Sequence, residues 1–394
     1  MRASNLKTLR FKCAIGHGIN DIYWFVLPSI LPLILDQFGL RYRSGGFILT
    51  AYLMFIAVFS SILGKLSDSV DRQRIIGIGF LVSALGMTLA GMMNSFTGFI
   101  VLLLIAAVGT SSFHPVGLAL IDETANSRRG RVFGFFEFWG FLAICIMFFL
   151  NSVLLKIFGW QSILIVMGSS GFFMALPFLF RKEDTRQYRF DEKTDPAPIK
   201  NDRSLYLLIL FLITITLRFV SITAVINFTT TYLVHEIETT PGVANLMTGF
   251  AFLGGMLFTP LFGILSDRVK PINLFLLTTA LCAPCIFLLS VASETWVITI
   301  ILFFAGIIFY SSSPSMDLLL SRFSGYIGKG EAFGYIMSVF AVVTALSPAA
   351  FGMLADRTGL RTAIALFSIP PLISFFLLLH TAQSMGKEQH DGWD

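Results

Sequence analysis

The sequence predicts an all-α membrane protein with twelve transmembrane helices in two pseudo-symmetric six-helix bundles. Three observations lead to this prediction. Of the 394 residues, 55% are hydrophobic and only 13% are charged, against about 25% charged residues in ordinary soluble domains. Segments without charge, of the length that a bilayer requires, recur along the chain. Several short motifs of the first half also recur in the second half.

Composition and charge distribution exclude several classes of protein. A soluble chain could not cover so much apolar surface with so few charges, so disorder and a secreted disulfide scaffold fit poorly. The net charge of +5 raises the question of a nucleic-acid partner. The lysines and arginines, however, lie in short loops between apolar segments, which is the positive-inside pattern. We therefore expect the lipid bilayer, and no nucleic acid, as the partner of this surface.

Nine apolar segments contain no Asp, Glu, Lys or Arg, once the long segment 75–121 is divided at 94–98. Three further segments are apolar but carry an internal charge. Each is close to the roughly 20 residues of a membrane-spanning helix. The twelve predicted spans are 13–35, 44–64, the two parts of 75–121, 132–153, 157–180, 205–230, 239–266, 271–293, 295–316, 332–355 and 362–386.

The positions of the basic residues predict the orientation. If the N-terminus lies inside, most of the 28 lysines and arginines fall on the inner side. We therefore expect a multi-pass protein of the inner (cytoplasmic) membrane with both termini cytoplasmic. No cleavable signal peptide is expected, because the first apolar segment contains polar groups and no clear cleavage site. The predicted organisation is a first half at 1–180, a cytoplasmic linker at 181–204, a second half at 205–386 and a cytoplasmic tail at 387–394.

Recurring motifs indicate that the two halves arose by duplication. A Gly-x-x-x-Asp element at 64–68 recurs at 263–267, and Ser111-Ser112 recurs as Ser311-Ser312. Parallel six-helix repeats related by an axis along the membrane normal are the plan of major facilitator transporters. The Gly-x-x-x-Asp element resembles the signature loop of that superfamily, which implies a charge latch at the inner face. The predicted inner gate consists of Gly64, Asp68, Arg72, Gly263, Asp267 and Arg268.

Three helices carry a more specific resemblance. The first contains Gly16-His17-Gly18-Ile19-Asn20-Asp21, the fourth Phe113-His114-Pro115 and the fifth Phe136-Glu137-Phe138-Trp139-Gly140. Together they resemble the fosmidomycin resistance family of the major facilitator superfamily. The resemblance implies a proton-coupled exporter of drugs or small organic anions, not an enzyme. The chain has no phosphate-binding loop, so we do not expect coupling to ATP. We expect no cofactor, with the proton gradient as the source of energy.

Ionisable side chains inside the apolar segments are the candidates for proton coupling. Such a group costs roughly 2.5–3.5 kcal/mol at mid-bilayer, which makes it a functional hypothesis by default. His17 and Asp21 are four residues apart and share one face of a helix, where they could load and release a proton near neutral pH. The alternative for His17 is a packing or capping role. Glu137 is the third candidate, although it could instead pair with Arg129 or Arg131.

A second set of polar residues is predicted to bind the substrate. Arg218 occupies the repeat position of Gly18, so it could approach Asp21 and bind an anion, or form a permanent ion pair. His114 precedes a proline within a helix, where it could act as a ligand at a hinge or be a satisfied buried histidine. Asp317 could be a gate residue instead of a ligand. The predicted substrate-binding residues are Asn20, Tyr23, Trp24, His114, Arg218, Asn227 and Asp317.

These residues together predict a secondary active transporter that exports a drug or small organic anion in exchange for protons. An importer that takes up an organic anion or nutrient with protons is a close alternative. A membrane sensor or scaffold without transport is an alternative of another class, and the cost of the buried ionisable groups argues against it. We expect a monomer. We expect no metal site, because the five histidines are scattered along the chain.

Overall fold

A computed structural model describes residues 3–122, 129–180, 202–316, 318–320 and 339–390. Within these ranges the chain is helical with short turns and contains no strand. The helices are α1 (Ala3–Phe38), α2 (Tyr42–Leu66), α3 (Arg72–Gly91), α4 (Phe96–Thr110), α5 (Phe113–Asp122), α6 (Arg129–Leu154), α7 (Trp160–Leu179), α8 (Asp202–His235), α9 (Pro241–Ser266), α10 (Pro271–Val291), α11 (Thr295–Tyr310), α12 (Ser347–Thr358), α13 (Leu360–Leu366) and α14 (Ile369–His390).

Twelve stretches of the described chain are long and apolar enough to cross a membrane, which confirms the predicted fold class. The predicted division at 94–98 is confirmed, because α3 ends at Gly91 and α4 begins at Phe96. Helices α4 and α5 together form the fourth span, and α13 and α14 form the twelfth. Most of the predicted linker, the end of the predicted tail and Asp317 lie outside the described residues. The boundaries of the two halves stay predictions.

A lysine fixes the beginning of the first span against its neighbours. Lys12 Nζ donates to Gln73 Oε1 at 2.5 Å and to the carbonyl oxygen of Pro177 at 3.0 Å. Its cation also lies 5.0 Å from the centre of the Phe178 ring. Because hydrogen bonds that involve a charged donor are stronger than neutral ones, this residue holds α1 against α3 and α7 at a defined height.

The fourth span is interrupted in its middle, which positions a functional side chain. Helix α4 ends at Thr110, and α5 begins at Phe113 after Ser111 and Ser112. Ser60 Oγ donates to the carbonyl oxygen of Ser111 at 3.0 Å and so satisfies one backbone group that the break frees. The break turns His114 towards the first span. The second half has the same break after Tyr310, in agreement with the predicted repeat.

The halves pack against each other mainly through α6 with α9, α2 with α12 and α1 with α8. Two glycines allow the second of these contacts. A Cβ at Gly46 would collide with the carbonyl oxygen of Pro348, and one at Gly352 would collide with that of Tyr42. Thr50 Oγ1 accepts a hydrogen bond from the Ala349 amide at 3.0 Å across the same contact.

We name the two ends of the bundle by residues. The Asp36 end comprises residues 36–46, 235–242 and 348–361, and the Asp68 end comprises 64–74 and 263–271. At the Asp36 end, Asp36 Oδ1 lies 3.2 Å from His235 Nε2, and Arg43 Nε lies 3.8 Å from Asp356 Oδ2. Each of these pairs joins the two halves. The bundle is therefore closed at the Asp36 end.

The predicted inner gate lies at the Asp68 end, where its glycines have ordinary packing contacts. Gly64 would place a Cβ 3.4 Å from Pro115 Cβ, and Gly263 packs opposite Gly134 of the first half. Asp68, Asp267 and Arg268 are exposed, and neither aspartate forms an ion pair with a described residue. With the described residues, these aspartates thus form no charge latch in this state.

Candidate functional site

The candidate site centres on Asp21, whose carboxylate lies between two imidazole rings. His17 Nε2 is 3.3 Å from Asp21 Oδ2, one helical turn away on α1. His114 Nε2, from α5, is 3.1 Å from Asp21 Oδ1. The sequence predicted the first pair from its four-residue spacing, and the structure adds His114 to it. All three residues belong to the first half of the chain.

The surroundings of His17 determine which ring nitrogen carries hydrogen. Its Nδ1 lies 2.9 Å from the carbonyl oxygen of Phe136, an acceptor, so Nδ1 carries the hydrogen of the neutral ring. The Phe136 ring stacks on the imidazole with centroids 4.0 Å apart, which fixes the ring plane. The second nitrogen, Nε2, therefore faces Asp21. It lies close to the carboxylate but is not aligned as a formed hydrogen bond.

This arrangement of His17 and Asp21 is suited to one additional proton. Without that proton, a lone pair of Nε2 faces a carboxylate oxygen, and two acceptors oppose each other. A proton on either atom converts the contact into a charge-assisted hydrogen bond, which is among the stronger ones in proteins. The geometry therefore offers one defined position for a proton, between His17 Nε2 and Asp21 Oδ2.

A glycine on α6 makes room for the carboxylate. A Cβ at Gly140 would collide with Asp21 Oδ2, and it would lie 2.9 Å from His17 Cε1 and 3.1 Å from His17 Nδ1. In the Phe-Glu-Phe-Trp-Gly motif, Phe136 thus contacts His17 with its carbonyl and its ring. Gly140 leaves the space that the Asp21 carboxylate occupies. Helix α6 supplies one wall of the site.

His114 is the member of the cluster that is open to its surroundings. Its side chain is 30% exposed, whereas that of His17 is almost fully buried. The Trp24 ring meets the His114 ring edge-on at 5.4 Å. The half-buried Glu137 is near enough to act electrostatically on His114. Glu137 thus belongs to the surroundings of the cluster, and its predicted roles, as a proton carrier or as a partner of Arg129 or Arg131, stay predictions.

Asn20 connects the cluster to the break in the fourth span. In the amide orientation that satisfies both ends, Asn20 Nδ2 donates to the carbonyl oxygen of Thr110 at 2.9 Å, and Asn20 Oδ1 accepts from Trp24 Nε1 at 3.3 Å. The Thr110 hydroxyl itself donates to the carbonyl oxygen of Ala106 at 2.9 Å. Asn20 and Trp24 therefore lie beside the cluster, where the sequence placed them.

Arg218 does not lie where the sequence predicted it. The side chain is fully buried, at 0% exposure, and its Nη2 donates to the carbonyl oxygen of Ile308 at 2.7 Å. Its guanidinium also lies 4.7 Å from the centre of the Phe275 ring. Among the described residues it has no carboxylate partner, so the predicted approach to Asp21 is wrong for this state. The physical reason is that free carbonyls at the end of α11 attract the cation more closely.

Three other predicted substrate ligands have different outcomes. Tyr23 is fully buried, and its hydroxyl donates to the carbonyl oxygen of Gly168 at 2.9 Å, so it packs against α7 and not at the cluster. Asn227 is buried and donates to the carbonyl oxygen of Thr223, on its own helix, at 2.8 Å. Asp317 lies outside the described residues.

Sequence reasoning missed Tyr310, the last residue of α11. It is 9% exposed, and its buried hydroxyl has no hydrogen-bond partner among the described residues. Asp21 is near enough to act electrostatically on this hydroxyl, across the interface between the halves. Its ring lies 4.9 Å from that of Phe141 and 5.6 Å from that of Phe252. The sequence did contain one signal: Tyr310 occupies the position in the second half that corresponds to Thr110, the last residue of α4, in the first half.

The same three residues of the cluster bear on the question of a metal ion. Within the described ranges, His17, Asp21 and His114 form the one group of His, Cys, Asp and Glu whose ligand atoms lie close together, all within 4.8 Å. The 3.1 Å contact between His114 Nε2 and Asp21 Oδ1 also fits an ordinary hydrogen bond. The expectation that the protein uses no metal stays a prediction.

Comparisons with known proteins agree with this architecture. The chain matches the Major Facilitator Superfamily over residues 13–329 and again over 210–392. It is 24% identical over 144 residues to the probable L-galactonate transporter of Escherichia coli strain K12, which covers 36% of this chain and 32% of that protein. It is 22% identical to the multidrug resistance protein MdtG of Proteus mirabilis strain HI4320, which covers 96% and 94% of the two chains.

The chain thus spans about a third of the length of the first of these relatives and nearly all of the second. Among solved structures, it superposes on a bacterial homologue of the human lysosomal transporter Spinster in an inward-facing, unoccupied conformation. The TM-score is 0.74 at 15% identity, and the superposition covers 100% of both chains. At this identity the likeness concerns the fold.

Proposed function

Because the chain belongs to the Major Facilitator Superfamily, we propose that it is a secondary active transporter that moves a small molecule in exchange for protons. The observation that carries this proposal is the carboxylate of Asp21 between the imidazoles of His17 and His114. Such a cluster is costly inside a membrane and has no evident structural purpose there. The proton gradient supplies the energy, and no cofactor takes part.

The proton step follows from the opposed acceptors of the cluster. Since His17 Nδ1 is committed to the Phe136 carbonyl, the position between His17 Nε2 and Asp21 Oδ2 gains most from a bound proton. His114, the exposed member, offers a path between this position and water. Glu137 acts on His114 and assists the exchange. A solute that binds Asp21 in place of the proton competes with the proton for this carboxylate. This competition is the basis of antiport.

The alternating-access step follows from the closed Asp36 end. In the predicted orientation, the Asp36 end faces outwards, so the described bundle is closed towards the outside. The pairs Asp36–His235 and Arg43–Asp356 stabilise this state. The inner gate around Asp68 and Asp267 would form its latch in the outward-open state. Only a difference in affinity between the two states can drive the cycle.

Export is the direction that the relatives favour. The relative that matches nearly the whole chain is named a multidrug resistance protein, which supports efflux and drug resistance. Uptake of an organic anion with protons is the second candidate, and the match of part of the chain to a probable L-galactonate transporter supports an organic anion as the substrate without indicating a direction. The more specific resemblance to the fosmidomycin resistance family stays a prediction, as do the inner membrane, the cytoplasmic termini and the monomeric state.

The test is solute flux in proteoliposomes that carry an imposed pH gradient. We expect gradient-driven exchange with at least one drug of a chemically diverse panel. Asp21→Asn removes the proton-holding carboxylate and should abolish exchange. Glu294→Gln is the matched control, since Glu294 is an exposed carboxylate at the start of α11 without a side-chain capping bond, and it should leave exchange unchanged. Full gradient-driven exchange by Asp21→Asn would refute the coupling role of Asp21.

A further inference from the structure

We propose that His17, Asp21 and His114 form a binding site for a divalent transition-metal ion of the zinc class, and that the bound ion blocks proton-coupled exchange. The ion is an inhibitor of the site and not a cofactor of the transport cycle. Binding of the ion depends on the geometry of the cluster alone, whereas the block rests on the proposed function. The sequence predicts no such site, because its histidines are scattered, but the fold brings two of them to one carboxylate.

The set of donor atoms is the first observation that points to a metal ion. Two imidazoles and one carboxylate are the protein ligands of a class of catalytic zinc sites, which keep a fourth position for water or substrate. Imidazole also suits copper and nickel ions, whereas magnesium and calcium prefer oxygen ligands. Within the described ranges, this is the one group of His, Cys, Asp and Glu whose ligand atoms all lie within 4.8 Å of one another.

The distances between the ligand atoms are the second observation. Zinc bonds to nitrogen and oxygen measure about 2.0–2.2 Å, so the ligand atoms of a tetrahedral site lie about 3.3 Å apart. His17 Nε2 and His114 Nε2 lie 3.3 and 3.1 Å from the nearest oxygens of Asp21. Since all ligand atoms lie within 4.8 Å of one another, the two imidazoles need to approach each other by up to about 1.5 Å to share one ion.

The orientation of His17 is the third observation. A histidine that binds a metal usually donates its other ring N–H to a carbonyl or carboxylate, which fixes the tautomer and the ring plane. Here Nδ1 of His17 lies 2.9 Å from the carbonyl oxygen of Phe136, and the Phe136 ring stacks on the imidazole. The remaining nitrogen, Nε2, is buried beside Asp21 without a hydrogen-bond partner among the described residues. Its lone pair is therefore available to an ion.

The three side chains differ in exposure, which indicates how an ion enters. The His114 side chain is 30% exposed, that of Asp21 12% and that of His17 1%. An ion would meet His114 and Asp21 first and would reach His17 last. Because His114 follows the break in the fourth span and is partly exposed, it is the ligand best placed to move towards the ion.

The block follows from the position of the ion. A metal ion binds the same lone pairs of His17 Nε2 and the Asp21 carboxylate that would hold the transported proton. Metal ligands must be deprotonated, so the ion and the proton exclude each other. While the ion is bound, Asp21 can neither load a proton nor bind a solute in its place.

The first experiment measures binding of Zn²⁺ alone to the purified full-length protein, without a histidine tag, by calorimetry in detergent. We expect His114→Gln and Asp21→Asn to weaken zinc binding at least about tenfold, because the loss of even an outer-shell partner costs that much. His380→Gln is the matched control, since His380 is an exposed histidine outside the cluster, and it should bind zinc as the wild type does. Mg²⁺ should not bind at the cluster. The melting temperature of each variant shows whether it is folded.

The second experiment measures exchange in proteoliposomes with Zn²⁺ on both sides of the membrane. At ten times the measured Kd, about nine tenths of the sites are occupied, so exchange by the wild type and by His380→Gln should fall about tenfold. A chelator should restore it.

Unchanged zinc affinity in folded His114→Gln and Asp21→Asn, or full exchange by the zinc-loaded wild type, would overturn the inference. Calorimetry requires no gradient and no solute, so it separates this inference from the proposed function. Zinc binding as expected in a protein without any exchange contradicts the transport proposal alone. Proton-coupled exchange in a protein that binds no zinc contradicts the metal site alone.

Discussion

Gly140 offers a sharp test of the site geometry, because its missing side chain leaves the space that Asp21 occupies. In Gly140→Ala, the new methyl group would collide with Asp21 Oδ2 and lie 2.9 Å from His17 Cε1. His17 cannot move aside easily, since its ring is stacked on Phe136 and its Nδ1 is bonded to a carbonyl. The carboxylate must therefore shift away from Gly140, which alters its contact with His17.

The magnitude follows from the contacts that are lost. Overpacking of a filled interior typically costs about 1–3 kcal/mol, and a hydrogen bond to a charged group contributes about 1.5–3 kcal/mol. We expect a loss of stability of about 1–3 kcal/mol. We also expect a loss of at least about tenfold in gradient-driven exchange, because the position that holds the proton is distorted.

The assay combines flux in proteoliposomes with the melting temperature in detergent. Gly134→Ala is the matched control on the same helix, since its Cβ would have ordinary contacts of 3.6–3.7 Å with α9. Alanine is also the better helix former, so the control should keep its exchange and its stability. If Gly140→Ala exchanges solute like the wild type while Gly134→Ala does not, the placement of Asp21 against α6 is wrong.

Three further predictions concern residues around the site. Arg218→Lys should lower stability by about 1–3 kcal/mol, because lysine cannot replace the planar contacts to the α11 carbonyls. The KM for transport should stay unchanged. A large change in KM with an unchanged melting temperature would contradict the structural role of Arg218. Asp36→Asn removes one pair across the Asp36 end, so the equilibrium should shift up to about fivefold towards the form that is open at that end. This shift would be seen as longer distances between spin labels at Arg41 and Glu294. Unaltered distances would exclude a gating role for the pair. Tyr23→Phe should cost about 1 kcal/mol of stability and leave exchange intact, and a loss of exchange in the folded variant would place Tyr23 at the site after all.

The fold could be predicted from the sequence because a membrane imposes strong rules. Charge-free segments mark the spans. A short motif such as Gly64 to Asp68 recurs at the corresponding place in the second half. The cluster was predicted in part for a similar reason. His17 and Asp21 must share one face of α1 whatever surrounds it, because a helix places residues four apart on the same side.

The remaining features of the site depend on contacts that a single sequence does not contain. The rotation of α8 decides whether Arg218 faces the other half or the carbonyls of α11, and packing sets that rotation. Tyr23 lies only two residues before the centrally placed Phe25, yet it points into its own half. Tyr310 is one of 9 tyrosines beside 42 phenylalanines, and only its unsatisfied hydroxyl distinguishes it.

Release of protons on solute binding tests the central claim most directly. The purified protein is kept in weakly buffered detergent solution with a pH-sensitive dye, and a solute identified in the flux assay is added. We predict that the wild type and Glu294→Gln release protons in proportion to the solute bound, whereas Asp21→Asn releases none. Solute binding by the wild type without proton release, or equal release by Asp21→Asn, would contradict the claim that solute and proton compete for Asp21.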